Sequence, residues 1–171
     1  VNHLGFYAKE WLKNKESLIE RIECLKYPII VKPATLGSSI GISQVNNRQA
    51  LEDAINVARS FSQQLLIEEV VPNLKEINCA VLGDYEQTEV SVCEEPIGGS
   101  ALLSFQDKYL NDAQKTKGMS GAKRKLPADI PTDMAALIQK LARQTFQVVN
   151  GSGVSRVDFL MNQETDDVYV N

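Results

Sequence analysis

The sequence predicts an α+β fold built from two lobes. Its first part alternates in the order helix, strand, loop, strand, helix, strand, and its second part contains a hairpin followed by a helix and two strands. The 171 residues are 43% hydrophobic and 23% charged, which is typical of a folded globular protein. We therefore expect one lobe over residues 1–71 and a second over residues 72–171.

In the first lobe, apolar residues between 6 and 25 recur at helical spacing and predict one amphipathic helix. Short apolar runs predict three strands, over residues 27–32, 42–45 and 65–71. A second helix over 47–61 is expected to bury one face, which carries Leu51, Ala54, Ile55 and Ala58.

In the second lobe, strands over 76–82 and 88–94 are expected to form a hairpin with its turn at Gly83 and Asp84. A polar segment, about 96–127, predicts a long mobile loop, which in compact domains is usually functional or disordered. Strands are expected over 154–161 and 167–170. A helix over 131–149 follows the loop, with Thr132 as its cap and a buried side formed by Leu137, Leu141, Ala142, Thr145 and Val148.

Composition disfavours several classes of protein. A net charge of −4 provides no basic field for nucleic acid, and no apolar run approaches the roughly 20 residues that span a membrane. Cys24, Cys79 and Cys93 lack CxxC spacing and are expected to be reduced thiols in or near the core of a cytoplasmic protein. With His3 as the single imidazole, a zinc site is not expected.

A strand, a cation and a small polar loop follow one another near the start of the chain. Ile29-Ile30-Val31 leads to Lys32 and Pro33, and the loop Gly37-Ser38-Ser39-Ile40-Gly41 comes four residues later. Triphosphate binding needs a fixed positive charge beside backbone N–H groups that approach closely. The motif therefore favours a phosphate site over a surface lysine followed by an ordinary turn.

Five segments in order give this motif a wider context: YPIIVKPATLGSSIGIS, LLIEEVV, KEINCAVLG, DKYL and SRVDFLMN. Over residues 20–171 the chain resembles the ATP-grasp superfamily, and GSSIGIS and DKYL resemble its D-alanine–D-alanine ligase branch. The resemblance implies two α+β lobes with a nucleotide between them.

The resemblance also implies roles for the phosphate motif. Lys32 is expected to contact the phosphates of ATP, and the loop with Gly37, Ser38 and Ser39 is expected to close over the γ-phosphate. Ser38 matches the serine that positions a network on the substrate side.

For the adenosine, the resemblance implies that adenine binds at the end of the third predicted strand. The residues there are Glu68, Glu69 and Val71, and they contact adenine largely through main-chain groups. Glu76 matches the carboxylate that accepts the ribose hydroxyls, although the connection before it is one residue longer than usual. The alternative is that Glu68 and Glu69 are solvated acidic side chains at the end of a strand, without a role in binding.

For catalysis, the resemblance implies that Lys108 reaches the γ-phosphate from a mobile loop and that Tyr109 joins Ser38 over the substrate. Asp158 is expected to bind Mg²⁺ or Mn²⁺, and Arg156 to stabilise charge at the reacting centre. Because residues two apart in a strand share a face, a structural ion pair between Arg156 and Asp158 is the alternative.

The implied activity is ATP-dependent formation of D-alanyl-D-alanine through an acyl phosphate, for peptidoglycan synthesis in bacterial cytoplasm. Implied partners are ATP and D-alanine, without nucleic acid or membrane, and the resemblance implies a homodimer. Alternatives are a ligase with another acceptor, such as D-lactate, D-serine or another amino acid, or a nucleotide-binding module without catalysis.

The sequence lacks an initiator Met and stops at Asn171, one residue before the point at which the family carries a metal-binding Glu-x-Asn element. The family's N-terminal lobe has no counterpart either. We therefore expect a segment of a longer protein that is inactive by itself.

Overall fold

The computed structural model describes residues 1–36, 40–97 and 123–171. The described residues form two compact units, residues 1–70 and residues 71–97 with 123–171. Each unit has a four-stranded antiparallel sheet and at least one helix packed on it, which confirms the predicted α+β class. None of the described helices is long and apolar enough to cross a membrane.

The first unit contains three helices and a sheet in the order β1-β4-β2-β3. Its elements are β1 (His3–Tyr7), α1 (Ala8–Lys13), α2 (Lys15–Glu23), β2 (Ile29–Pro33), β3 (Ser43–Val45), α3 (Arg48–Ala58) and β4 (Gln64–Glu69). Helix α3 begins after Asn47, whose side chain accepts a hydrogen bond from the N–H of Ala50 at 3.0 Å. The predicted buried face of α3 is confirmed, since its four apolar residues all lie in the core.

The single helix predicted over residues 6–25 is wrong at its start and in its middle. Residues 3–7 form β1, which pairs antiparallel with β4 and places Phe6 opposite Leu65 in the core. Leu4 and Phe6 alternate with polar or small neighbours, and strand pairing satisfies this alternation better than a helix. Asn14 then separates α1 from α2 because its backbone leaves the helical region, with φ −136° and ψ 44°.

The second unit contains one helix, a sheet in the order β10-β9-β5-β6, and a separate two-stranded ribbon. Its elements are β5 (Leu74–Gly83), β6 (Thr88–Val90), β7 (Glu95–Ile97), β8 (Lys123–Lys125), α4 (Thr132–Val148), β9 (Gly153–Asn162) and β10 (Val168–Val170). The segment predicted as a loop over 96–127 contributes residues 96–97 and 123–125 to the ribbon, where Pro96 pairs with Arg124. Residues 98–122 lie outside the described part of the chain.

Pairing between β5 and β9 forms the centre of the second unit. It runs over ten residue pairs, from Leu74 opposite Asn162 to Gly83 opposite Gly153. Because side chains alternate along a strand, one face of this pair is apolar and packs against α4 through residues such as Ile77 and Phe159. The other face carries polar and charged side chains.

Helix α4 is rotated by about one residue from the predicted orientation. Its buried stripe is Ile138, Ala142 and Phe146, whereas the side chain of Val148 is 82% exposed. The spacing of four residues places this stripe along the apolar face of the sheet. Thr132 is the first helical residue rather than the cap, which is Pro131.

The three cysteines are free thiols in two different environments. Cys79 and Cys93 are buried in the core of the second unit, as expected. Cys24 is exposed at the end of α2, so its expected place in or near the core is wrong.

The observed orientation of α4 predicts different costs for two substitutions in its last turns. Phe146→Ala should lower the free energy of unfolding by about 3–5 kcal/mol, because it removes a buried ring and leaves a cavity. Val148→Ala is the matched control and should change it by less than about 0.5 kcal/mol. Urea denaturation measures both values, and a larger cost for Val148→Ala would contradict the orientation.

Candidate functional site

The described candidate site residues lie on the two sheets, except for Val71, which precedes β5 in the chain. Lys32, Glu68 and Glu69 belong to the first unit, whereas Val71, Glu76, Arg156 and Asp158 belong to the second. Five further candidates lie outside the described residues, and their roles stay predictions: Gly37, Ser38, Ser39, Lys108 and Tyr109.

Lys32 forms an ion pair with Glu68 on the face of the first sheet opposite the core residues Ile29 and Val31. Lys32 Nζ lies 2.7 Å from Glu68 Oε2, and the two side chains are 18% and 15% exposed. Strands β2 and β4 place Glu68 opposite Ile30, two residues before Lys32, so the long lysine side chain reaches it diagonally. Glu68 thus holds a partly buried cation at the end of β2, where a phosphate group would need it.

Glu69 points to the opposite face from Glu68 and is held by the start of the chain. Asn2 Nδ2 donates to both carboxylate oxygens of Glu69, at 3.1 and 3.0 Å. The backbone N–H of Glu69 donates to the carbonyl of Asn2 at 3.1 Å. The carboxylate is therefore bound within the protein rather than simply solvated, and the Val71 side chain two residues later is buried.

Arg156 and Asp158 form a bidentate ion pair on the polar face of the second sheet. Arg156 Nε lies 2.6 Å from Asp158 Oδ1, and Nη2 lies 2.9 Å from Oδ2. The hydrogen bonds that Arg156 donates to Asp158 raise the pKa of the Arg156 guanidinium, and the charges of Glu94 and Glu76 add to this effect. Three carboxylates therefore lie close enough to influence one arginine.

Glu76 shares this face because it pairs with Leu160, two residues from Asp158. The connection before β5 turns at Asn73, which adopts a left-handed backbone with φ 46°. The N–H of Gln163 donates to the carbonyl of Asn73 at 3.1 Å and fixes this turn against β9.

A β-bulge brings Glu94 to the same face. Ser91 pairs with Ala80 and Glu94 pairs with Asn78, so two residues stand opposite the single residue Cys79. The Ser91 hydroxyl stabilises the bulge, because it accepts a hydrogen bond from the N–H of Ala80 at 3.0 Å and donates one to the carbonyl of Val92 at 2.8 Å.

The result is a row of four polar residues across neighbouring strands. Asn78 pairs with Glu94 on one side and with Asp158 on the other, and the N–H of Asn171 donates to the carbonyl of Asp158 at 2.9 Å. We name Glu94, Asn78, Asp158 and Asn171 the polar row. Sequence reasoning missed Asn78 and Glu94, although the spacing of two between Glu76 and Asn78 already indicates a shared face.

The chemistry of this face suits a hard cation beside an anionic ligand. Carboxylate and amide oxygens are the ligands that Mg²⁺ prefers, and the guanidinium of Arg156 suits phosphate or carboxylate groups. The described residues contain no group of three or more His, Cys, Asp or Glu side chains that could hold a metal ion by itself. Asp158 is the described member of the predicted metal site.

Comparisons with known proteins agree with one another. A family model described as "D-ala D-ala ligase C-terminus" matches residues 1–171. The D-alanine–D-alanine ligase of Acetivibrio thermocellus is 33% identical over 172 residues, which cover 100% of this chain and 43% of that protein.

Two solved structures resemble the chain over nearly its whole length. The VanG D-Ala:D-Ser ligase of Enterococcus faecalis has a TM-score of 0.77 at 26% identity and covers 99% of this chain and 46% of its own. The D-alanyl-alanine synthetase A of Vibrio cholerae has a TM-score of 0.75 at 25% identity, with coverage of 99% and 48%. The chain thus spans less than half the length of each of these relatives.

The bulge predicts a specific role for the Ser91 hydroxyl. Ser91→Ala should lower the free energy of unfolding by about 1–2 kcal/mol, because it leaves the N–H of Ala80 without its acceptor. Ser152→Ala, at an exposed serine of the same unit, should have little effect. Amide hydrogen exchange at Ala80 should become faster in Ser91→Ala, and unchanged exchange there would contradict the bulge hydrogen bond.

Proposed function

This chain belongs to the D-alanine–D-alanine ligase family, and we propose that the protein containing it joins two D-alanine molecules at the expense of ATP. The family match over residues 1–171 carries this proposal. The fold supports it, because the predicted ATP-grasp class is confirmed by the solved structures of ligases that the chain resembles. Since those proteins are more than twice as long, the proposal concerns the whole protein.

The proposed reaction has two steps. A carboxylate oxygen of the first D-alanine attacks the γ-phosphorus of ATP, which releases ADP and leaves an acyl phosphate. The amine of the second D-alanine then attacks the acyl carbon, loses a proton and expels inorganic phosphate, so that a peptide bond forms. No covalent intermediate on the protein is needed, so catalysis depends on positioning and charge stabilisation.

Six described residues receive roles in this proposal. Lys32 binds phosphate oxygens, and Glu76 accepts hydrogen bonds from the ribose hydroxyls. Arg156 stabilises negative charge on the transferring phosphoryl group, and Asp158 orients Arg156 through two hydrogen bonds. Main-chain groups of Glu69, at the end of β4, and of Val71, just after it, bind the adenine.

A divalent cation fits the donor set of the second sheet. Asp158 would hold Mg²⁺ or Mn²⁺ with a carboxylate oxygen, on the face that also carries Glu76 and Glu94. The cation, when bound, would neutralise charge on the phosphates of ATP. Each oxygen of Asp158 retains a lone pair beside its hydrogen bond to Arg156, so the ion pair and cation binding are compatible.

The alternative that a specific observation favours is a ligase that joins D-alanine to a different second amino acid. The VanG D-Ala:D-Ser ligase is 26% identical to this chain with a TM-score of 0.77. A D-Ala:D-Ser ligase would use the same phosphoryl transfer and differ in the second amino acid. We also propose, from the family resemblance, that the protein is cytoplasmic, serves peptidoglycan synthesis and forms a homodimer.

The proposed activity predicts a defined product. The protein containing this chain, supplied with ATP, Mg²⁺ and D-alanine, should release ADP and form D-alanyl-D-alanine in equal amounts. Mass spectrometry of products from mixtures of D-alanine, D-serine and D-lactate separates the acceptors. ATP binding without any ADP release that depends on D-alanine would support a non-catalytic module and refute the ligase proposal.

The proposed role of Lys32 predicts a nucleotide-specific defect. Lys32→Ala should raise the KM for ATP by more than about tenfold, since a hydrogen bond to a charged group is worth roughly 1.5–3 kcal/mol. Lys13→Ala, at an exposed lysine of α1, is the matched control and should leave the KM unchanged.

Loss of the ion pair with Glu68 could by itself disturb the site. The double variant Lys32→Ala with Glu68→Gln removes both charges, so a defect caused only by the unpaired carboxylate should recover. A defect that persists supports phosphate binding by Lys32, whereas recovery to the wild-type KM would assign Lys32 to structure alone.

A further inference from the structure

Cys79 and Cys93 lie side by side in the core of the second unit, and no step of the proposed reaction uses them. Both are free thiols, and the two residues are only 1% and 3% exposed. A hydrogen bond between the two thiols lowers the pKa of Cys79 and raises the pKa of Cys93, so the sulfur atoms lie within hydrogen-bonding reach of each other.

The strand register explains why these two thiols meet. The N–H of Asn78 donates to the carbonyl of Glu94 at 2.8 Å, and the N–H of Glu94 donates to the carbonyl of Asn78 at 2.9 Å. The next pair along this ladder, Cys79 with Cys93, is therefore a non-hydrogen-bonded pair. The bulge also places Val92 opposite Cys79, but Val92 is 52% exposed, so Cys93 is the bulge residue that shares the core side with Cys79.

This kind of pair has the geometry that a disulfide needs. Opposite residues of a non-hydrogen-bonded pair have Cα atoms about 4.5 Å apart and Cβ atoms about 4.5–5.5 Å apart. A disulfide spans Cα atoms about 4.4–6.8 Å apart, with the Cβ atoms slightly closer than in an unlinked pair. A bond between the two sulfurs therefore fits the observed pairing and needs only a small approach of the side chains.

We propose that Cys79 and Cys93 form a modification site at which a peroxide reversibly converts the two thiols into a disulfide. The sulfur of Cys79 attacks one oxygen of hydrogen peroxide, the O–O bond breaks, and the thiol proton leaves with the other oxygen as water. The resulting sulfenic acid is attacked at sulfur by Cys93, the S–O bond breaks, and the Cys93 proton leaves with the hydroxide as a second water. The two thiols lose two electrons, and one peroxide is reduced to two water molecules.

The pair lies beside the edge of its sheet, which gives a small oxidant a route to it. In the described part of the chain, β6 is the outer strand, and the N–H of Ala80 is bonded to the Ser91 hydroxyl instead of a strand carbonyl. Local opening at such an edge requires less free energy than global unfolding. The disulfide would join β5 to the segment before β7, directly behind the polar row, and would hold Asn78 and Glu94 in register.

The protein containing this chain tests the proposal without any substitution. The reduced, folded protein is treated with hydrogen peroxide, its remaining thiols are alkylated after unfolding, and it is digested without reductant. Mass spectrometry should show the peptide with Cys79 joined to the peptide with Cys93, lighter by two hydrogen atoms than the separate peptides, and dithiothreitol should separate them. Oxidation of the exposed Cys24 without this cross-link would overturn the proposal.

Thermal unfolding tests whether the native pairing accommodates the disulfide. The oxidised protein should have a Tm about 3 °C or more above that of the reduced protein, because the cross-link restricts the unfolded chain. A lower Tm after oxidation would show that the bond distorts the strands, which would contradict the inferred geometry.

Two cysteine substitutions test the order of the steps. Cys93→Ser removes the thiol that resolves the sulfenic acid, so dimedone, which labels sulfenic acids, should label Cys79 at least about fivefold more than in wild type. Cys24→Ser, at the exposed cysteine, is the matched control and should form the cross-link to the wild-type extent. Equal labelling of Cys79 in wild type and Cys93→Ser would overturn the proposed second step.

The wild-type cross-link decides the question even if Cys93→Ser does not fold. None of these measurements uses ligase activity, and the inference does not rest on the proposed reaction. Absence of ADP release that depends on D-alanine would refute that reaction and leave the disulfide measurement unchanged.

Discussion

The continuous pairing of β5 with β9 is the constraint on which the second unit depends. Ten consecutive pairs fix which residues of the two strands face each other, and a shift by one residue would move every side chain to the opposite face. The apolar face then binds α4 through Ile138, Ala142 and Phe146. The same register brings Asn78 beside Asp158, so one set of hydrogen bonds defines both the core and the candidate site.

The bulge at Ser91 extends this arrangement to a third strand. If β6 continued without the extra residue, Cys93 would stand opposite Asn78 on the polar face and Glu94 would point toward the core. The extra residue instead buries the small, weakly polar cysteine side chain and exposes the carboxylate to the polar row. A local irregularity thus removes a charge from the core and adds it to the site.

Both described cations that receive roles in phosphate chemistry are paired with carboxylates. Lys32 contacts Glu68 in the first unit, and Arg156 contacts Asp158 in the second. The first pair keeps the partly buried charge of Lys32 satisfied, and both pairs hold flexible side chains in place, which lowers the entropic cost of binding a ligand. Each carboxylate also weakens the attraction of its cation for an anionic ligand. The ion pairs therefore keep the side chains ordered in the free protein at the expense of some affinity for phosphate.

Local sequence patterns are sufficient to identify the family, the α+β class and the strands that carry the candidate residues. Motifs such as VKPA and SRVDFLMN are local, and the shared face of Arg156 and Asp158 follows from alternation alone. The buried face of α3 was also predicted, because apolar spacing in a helix reflects its own period. These features depend on neighbours that are close in the chain.

Features that depend on pairing between distant segments became visible only in three dimensions. The sequence predicts a helix where β1 lies, because the alternation of Leu4 and Phe6 becomes decisive only when β4 lies beside it. The rotation of α4 follows from the apolar face that β5 and β9 present. The place of Glu94 in the polar row required the bulge, since a single inserted residue reverses the direction of a side chain and leaves no clear mark in the sequence.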